Sequence, residues 1–597
     1  MNKRKFSRWL KLVKPVFISV VTLTIAKIPA PAQADTNLPL YIAQTLPPGI
    51  DRPSTPLPPT IPLPERREQP PVTPLPPVED FLNTPPNRIP SGEVPESEVE
   101  FEVEKFVLEG NTVLEEADLE AIFKDYRDRP ISFADLLELE TRLTELYTDK
   151  GYINSGVVIP SQNIDGEIIT LQAIEGRIET INVNVDGRLK ESYVRSRLTR
   201  GTKTPLNIQE LQEALQLLQL DPLIESLNAE LSVGLTRERW RLDVDVNQGN
   251  AFDPALFVNN SRTPSVGSFQ RGVELNHNNV LGYADRFSFI FRDTDGSNDF
   301  DTSYSIPINS LDGTVGLRYR YVDSNIIEGD LEELDIESQT DEFELTLRQP
   351  LLRTASSEST QEFALGLEFS RQTNEVTVEN RPFPDLSPGA DANGETKISA
   401  LRFFQDWTRR TRKDVFAVRS QLSAGLDIFD ATENVGLPDG KFVSWRGQVQ
   451  WLRQLQASSN INLLLRSDIQ LSSDDLVPLE RFSLGGINSV RGYRQDALLG
   501  DSGIFTSAEV RIPFYRWSNG QNSVSAIPFI DFGTTWSNSE ERVEEDTVVS
   551  LGVGVRLDLS NTLNARIDYG IPLIEVSDSD DTLQENGVYF SLEYFPF

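Results

Sequence analysis

A chain of 597 residues is too long for one ordinary hydrophobic core, so two or more domains are expected. It has no Cys, one His (His277) and one Met (Met1), which excludes disulfides, thiolate metal sites and Cys nucleophiles and leaves catalysis little beyond carboxylates. A formal net charge of −35 repels nucleic acid, and a hydrophobic fraction of 38% is low for a helical membrane protein.

The cations are concentrated at the start. Residues 1–34 hold seven Lys/Arg and no acid, so the remainder carries −35 − 7 = −42. Lys3, Arg4, Lys5, Arg8, Lys11 and Lys14 precede a short apolar run from Pro15 to Ala26, and Ala32-Gln33-Ala34 offers a cleavage site. This is the pattern of a secretory signal peptide over 1–34. The apolar run is about half the ~20 residues that a membrane-spanning helix needs. Residues 35–98 then contain 18 of the 38 prolines. Proline fixes φ and removes a donor, so this stretch reads as an extended or disordered spacer.

From Phe101 the texture changes. "FEVEKFVLEG" alternates as a half-buried strand. Glu115–Lys124 and Ser132–Lys150 have helical spacing, with Leu136, Leu139, Leu143 and Leu146 on one face. Two strand-like runs follow, Ile153–Ile159 and Glu167–Ala173. The order β-α-α-β-β then repeats: "RIETINVNVDG", helices over Leu189–Leu198 and Asn207–Leu220, strands over Ile224–Val233 and Trp240–Val246. Two α+β domains are predicted, 99–175 and 176–248, each a small sheet with two helices on one face. Such a sheet leaves an edge strand open to a partner's strand.

Over 249–597 the helical signal disappears. Segments such as "GTVGLRYRYV", "DEFELTLRQP", "EFALGLEFSR" and "INLLLRSDIQL" alternate over about ten residues between polar turns. In the terminal "GVYFSLEYF", Val588, Phe590, Leu592 and Tyr594 share one face while Ser591 and Glu593 face the other way. Apolar out and polar in predicts a transmembrane β-barrel of about 16 antiparallel strands, the form a bilayer demands because no edge is left unpaired. The acidic stretches "DSNIIEGDLEELDIESQTDE" and "ENRPFPDLSPGADANGET" read as solvated loops. "DTDGSNDFD" (Asp293–Asp301) has the Asp spacing of a calcium loop but lacks the Glu at its twelfth position, so a turn between two strands is expected. Neither a cofactor nor a metal is predicted.

With these features in order, the chain resembles the two-partner secretion transporters, the TpsB or haemolysin-activator family within the POTRA-plus-barrel superfamily. "VLEGNTVL" resembles the first strand and turn of a POTRA domain, "LGYADRFSF" and "YSIPI" the first barrel hairpins, "SLGGINSVRGYRQD" the signature loop and "PFIDFG" the partner strand. The resemblance implies that the loop carrying Val490, Arg491, Gly492 and Tyr493 folds back into the lumen. Arg491 would there meet Asp531 of the Phe529–Gly533 motif. The alternation permits it: Asp531 shares a register with Phe529 and Gly533, opposite Ile530 and Phe532. The implied function is export of an unfolded exoprotein across the outer membrane, with the POTRA domains in the periplasm. The alternative is an insertase for barrel assembly. Implied partners are the exoprotein, outer-membrane lipid and the barrel assembly machinery, for a monomer with no nucleic acid. The family's short N-terminal plug helix is not expected here, because Asp35–Gln44 is short and contains Pro39.

Overall fold

The computed structural model describes residues 82–83, 100–162, 168–234, 236, 238–327, 332, 335–356, 358–382, 389–434, 438–538, 547–560, 562–576 and 582–596. The signal peptide, Asp35–Gln44 and all of the proline-rich spacer except β1 (Leu82–Asn83) lie outside the described residues.

The first α+β unit comprises β2 (Glu100–Glu102), β3 (Lys105–Glu109), α1 (Glu116–Phe123), β4 (Pro130–Ser132), α2 (Phe133–Asp149), β5 (Gly156–Val158) and β6 (Ile168–Ile174). Helix α2 starts where Ser132 and Asp135 cap each other reciprocally, satisfying two otherwise orphaned N–H groups. Its Leu136, Leu139, Leu143 and Tyr147 are fully buried against Ile169 and Leu171 of β6. The short β2–β4 pair was not legible as a strand pair in the sequence.

The second unit comprises β7 (Arg177–Asp186), α3 (Glu191–Leu198), α4 (Ile208–Gln219), β8 (Ile224–Val233) and β9 (Arg239–Gln248). In both units the first long strand runs parallel to the last, β3 with β6 and β7 with β9, and the strand between pairs antiparallel to that last one. The repeat is therefore one of topology as well as element order. Leu242, Val244 and Val246 of β9 face a core built with Leu211, Leu215 and Leu218 of α4. The outer side of β8 is not wholly open: Leu82 and Asn83 pair with Ala229 and Glu230 in parallel register.

The barrel strands are β10 (Phe252–Asn259), β11 (Gln270–His277), β12 (Arg286–Asp293), β13 (Ser297–Pro307), β14 (Thr314–Asn325), β15 (Ile336–Ala355) and β16 (Ser359–Val378). After the short return β17 (Arg381–Pro382) come β18 (Glu395–Thr411), β19 (Asp414–Gly425), β20 (Val443–Gln456) and β21 (Ile461–Ser472). A loop hairpin, β22 (Phe482–Leu484) with β23 (Leu498–Gly500), precedes β24 (Ser502–Trp517), β25 (Asn522–Trp536), β26 (Thr547–Leu559), β27 (Leu563–Pro572) and β28 (Val588–Tyr594). Leaving aside β17, a two-residue return, sixteen antiparallel strands close the ring, with β28 pairing back to β10.

The burial pattern is inverted relative to a soluble sheet. On β15, Phe343, Leu345 and Leu347 are exposed on the outer wall while Glu342 and Glu344 are buried inside. Strands β14 and β15 also run beyond the ten-residue span, taking in Asp323–Asn325 and Ile336–Glu342 of a stretch expected as loop. Backbone pairing continues there without needing an apolar face. Of the aspartates of "DTDGSNDFD", Asp295 lies in the expected turn between two strands, whereas Asp293, Asp299 and Asp301 are strand residues. Asp299 and Asp301 of β13 are buried, and Arg292, Arg318 and Arg320 engage them from β12 and β14. Among the described residues no carboxylate group is arranged to hold a metal, and no helix is long and apolar enough to cross a membrane.

The second α+β unit rests on the near ends of the barrel hairpins. Lys190 N donates to Gly282 O at 2.8 Å, Arg188 Nη2 to Val280 O at 3.1 Å, and Ala355 N to Glu213 Oε1 at 3.2 Å. Asp312, in the β13–β14 turn, receives both Arg197 and Arg353.

Candidate functional site: the lumen loop

The connection from β21 to β24 leaves the barrel end farthest from the α+β units and folds back inside. Two features make it a folded element. The β22–β23 hairpin gives it its own backbone pairing. Phe482, Leu484, Val490, Tyr493 and Leu498 form an apolar cluster completed by Phe505 of β24 and Val548 of β26.

Arg491 is fully buried at the centre. Its Nε donates to Asp531 Oδ2 at 2.7 Å and its Nη2 to Asp531 Oδ1 at 2.9 Å, a forked charge-assisted pair. The Arg491 backbone N donates to the same carboxylate at 3.2 Å, and Ser507 Oγ donates to it at 2.6 Å. Arg491 Nη1 reaches Glu509 at 3.2 Å and Asp568 at 3.6 Å. Arg511 and Arg566 share those two carboxylates: Arg511 lies 2.9 Å from Glu509, and Arg566 lies 3.2 Å from Glu509 and 2.6 Å from Asp568. The guanidinium carbon lies 3.4 Å from the centre of the Phe529 ring, so the cation is stacked as well as hydrogen-bonded.

The residues around Arg491 have distinct tasks. Val490 packs with Leu484 over Gly533, where a Cβ would come within 2.8 Å of Leu484 and 3.0 Å of Val490. Gly492 has φ +98° and lies on the β27 backbone, with an added Cβ 3.2 Å from Gly570 C and Pro572 N. Gly492 N donates to Tyr589 Oη at 3.0 Å, and Tyr589 donates to Tyr493 O. The Tyr493 hydroxyl accepts from Val549 N at 3.2 Å and Ile574 N at 3.3 Å, where it bridges β26 to the chain leaving β27. At the loop's other end Glu480 accepts from Arg402 Nη2 of β18 at 2.6 Å. The loop therefore crosses the lumen between opposite walls.

Asp531 and Phe529 point inward, and Ile530 and Phe532 are exposed outside. Sequence reasoning missed Glu509, Asp568, Tyr589 and the Arg402–Glu480 anchor. Alternation alone puts Glu509 and Asp568 on inward faces, but it does not say that strands three apart in the ring meet at one cation. Chemically the cluster is a tether. It is built of charge pairs and stacking, and among the described residues no group is arranged to hold a metal.

The haemolysin secretion/activation protein ShlB/FhaC/HecB family model matches residues 240–557, and the ShlB-type POTRA domain model matches residues 101–176. Among curated proteins, the outer membrane transporter CdiB of Escherichia coli O6:K15:H31 is 22% identical over 487 residues, 79% of each chain. The heme/hemopexin transporter protein HuxB of Haemophilus influenzae strain 86-028NP is 21% identical over 490 residues, 78% of this chain and 82% of the relative. Among solved structures, CdiB from Escherichia coli superposes with a TM-score of 0.63 at 20% identity, covering 87% of this chain and 94% of the other. BamA from Haemophilus ducreyi gives 0.50 at 14% identity, covering 83% of this chain and all of the solved one. These structural likenesses are likenesses of fold.

Proposed function

On the premise that this chain belongs to the haemolysin secretion/activation protein family, matched over more than half its length, we propose that the lumen loop is the element on which export turns. The chain is an outer-membrane transporter of a partner protein, with its POTRA units in the periplasm, and not an enzyme. The insertase alternative is dropped. The relatives matched are transporters, and the resemblance to BamA extends only to the fold.

The observation that carries the reading is the buried Arg491–Asp531 pair, which holds a loop inside the barrel lumen. Substrate passage requires the loop to yield, and its return restores the closed state. The POTRA units receive the unfolded exoprotein first. Their sheet edges offer main-chain pairing with little sequence demand, and the partner's folding outside supplies the driving force. The outer apolar wall takes outer-membrane lipid, the aromatic end of β28 is read by the barrel assembly machinery, and the closed ring functions as a monomer.

The test of function is export in cells that make the chain together with its cognate exoprotein. The partner reaches the medium with the full chain and stays in the periplasm when residues 99–248 are deleted. Equal release from cells lacking the chain overturns the reading.

A further inference from the structure

The ring closes at its shortest ladder. Strands β10 and β28 pair over four residues, Leu256–Asn259 with Tyr594–Ser591, against seven pairs for β27–β28 and eight for β10–β11. Past Asn259 the ladder is continued by side chains. Asn260 N donates to Phe590 O at 3.3 Å. The Asn260 amide then accepts from Phe590 N at 2.7 Å and donates to Val588 O at 2.8 Å, standing in for a backbone peptide. Beyond it Gln584, fully buried in the β27–β28 connection, donates through Nε2 to Asn260 O at 2.5 Å and Arg262 O at 2.6 Å.

The same Gln584 side chain faces the lumen loop, where its Oε1 accepts from Gln495 N at 2.7 Å. Arg494 makes a second bridge: its Nη1 reaches Glu585 on the β28 side at 3.3 Å, and its Nη2 reaches Ser265 on the β10 side at 3.2 Å. Tyr589 of β28 holds Gly492 and Tyr493 from below. Residues 492–495 of the loop therefore touch both sides of the seam, and Gln584 touches the loop and the β10 side at once.

We infer that the lumen loop is also the clasp of the β10–β28 seam, with Gln584 and Asn260 as the positioning residues that join loop seating to seam closure. A loop pulled from its pocket takes away Gln495 and Arg494, and the far half of the seam is then left to Asn260 and to a Gln584 side chain that has lost its partner in the loop. A loop that stays seated keeps the ring shut. The inference deepens the role proposed for Arg491 but stands on a different contact set, so the two are separable by experiment.

The absence of native cysteine makes site-specific spin labelling free of background. The full chain in lipid nanodiscs carries one label pair across the seam, at Phe300 of β13 and Val555 of β26, both exposed on the outer wall. A second pair, Asn488 and Leu551, reports the loop. Gln584→Glu keeps the acceptor for Gln495 N but loses the donor to the two carbonyls. It is expected to raise the long-distance population of the seam pair roughly tenfold, the scale of two lost hydrogen bonds, and to leave the loop pair unchanged. Arg491→Ala is expected to lengthen both pairs. A loop that leaves its pocket in Arg491→Ala with the seam distance unchanged overturns the coupling, as does an unchanged seam in Gln584→Glu. Should Arg491→Ala fail to fold, Gln584→Glu decides alone. Failure of the coupling leaves the export role of the loop to be judged by secretion.

Discussion

Two walls of the same lumen are lined with buried charge, and they are wired differently. On β12–β15 the pairing runs from strand to strand. Arg320 forks onto Asp299 at 3.1 and 2.9 Å, and Arg318 joins Asp301 at 2.9 Å to Glu344 at 3.2 Å. On β24–β27 the carboxylates Glu509, Asp531 and Asp568 converge on a cation that belongs to no strand of the wall. A wall that balances its own charge belongs to the barrel's stability. A wall whose carboxylates are shared between its own Arg511 and Arg566 and the cation of a returning loop offers a docking site for that loop. The same chemistry, buried arginine with buried carboxylate, joins strand to strand in one place and, on the function proposed, seats a loop that must yield in the other.

That distinction is breakable. The largest effect is expected from Asp531→Ala, which leaves the Arg491 guanidinium without its forked partner. Removing one member of a buried pair costs about 3–5 kcal/mol. Charged to loop seating alone, this empties the pocket. Export falls to background while the barrel remains folded by its heat-dependent mobility on gels. Export at the native level with Asp531→Ala would show the pair to be decoration. Gly492→Ala comes next, because it forces a side chain into φ +98° and against the β27 backbone. Strain of about 1–3 kcal/mol is expected, seen as a partial loss of export. On the other wall Arg320→Ala is expected to act in the opposite sense. The unfolding temperature of the barrel drops, while export per folded barrel stays within about twofold of native, as for a substitution remote from the moving part. A loss of export without loss of stability there would erase the contrast between the walls.

How much of this was readable from the chain depends on the range of the interaction. The period-2 alternation of "IPFIDFG" set Asp531 on the inner face, because register follows from sequence spacing alone. The α+β repeat was readable for the same reason, with Leu136, Leu139 and Leu143 marking one helix face. Non-local pairing was not. That Tyr589 would lie under Gly492, 97 residues away, depends on ring closure. The β1–β8 pairing was hidden in a proline-rich stretch whose composition argues against any strand. Asp299 and Asp301 looked like loop residues because their arginine partners lie on other strands.

The smallest effect expected lies in the first POTRA unit. Asp135 accepts from the Ser132 hydroxyl at 2.6 Å and the Ser132 backbone N at 2.7 Å. These hydrogen bonds, aided by Arg129, lower its pKa from 3.8 to about 2. A carboxyl with a depressed folded-state pKa stabilises above its unfolded value and loses that contribution as pH falls through the folded one. Asp135→Ala is therefore expected to cost about 1 kcal/mol at neutral pH, the usual worth of a cap. The difference from native should shrink between pH 3.8 and about 2. Urea unfolding of residues 99–248 at several pH values measures it, and a pH-independent difference would assign the cost to packing instead.

The most direct measurement of the central claim is secretion by Arg491→Ala at outer-membrane abundance matched to the native chain. The barrel is expected to insert, since its outer apolar wall and every strand ladder other than the β10–β28 seam are built without the loop. The cognate exoprotein should then accumulate in the periplasm and be absent from the medium. Normal secretion by an equally abundant Arg491→Ala barrel would contradict the account, because a loop that export depends on cannot be released from Asp531, Glu509 and Asp568 without consequence.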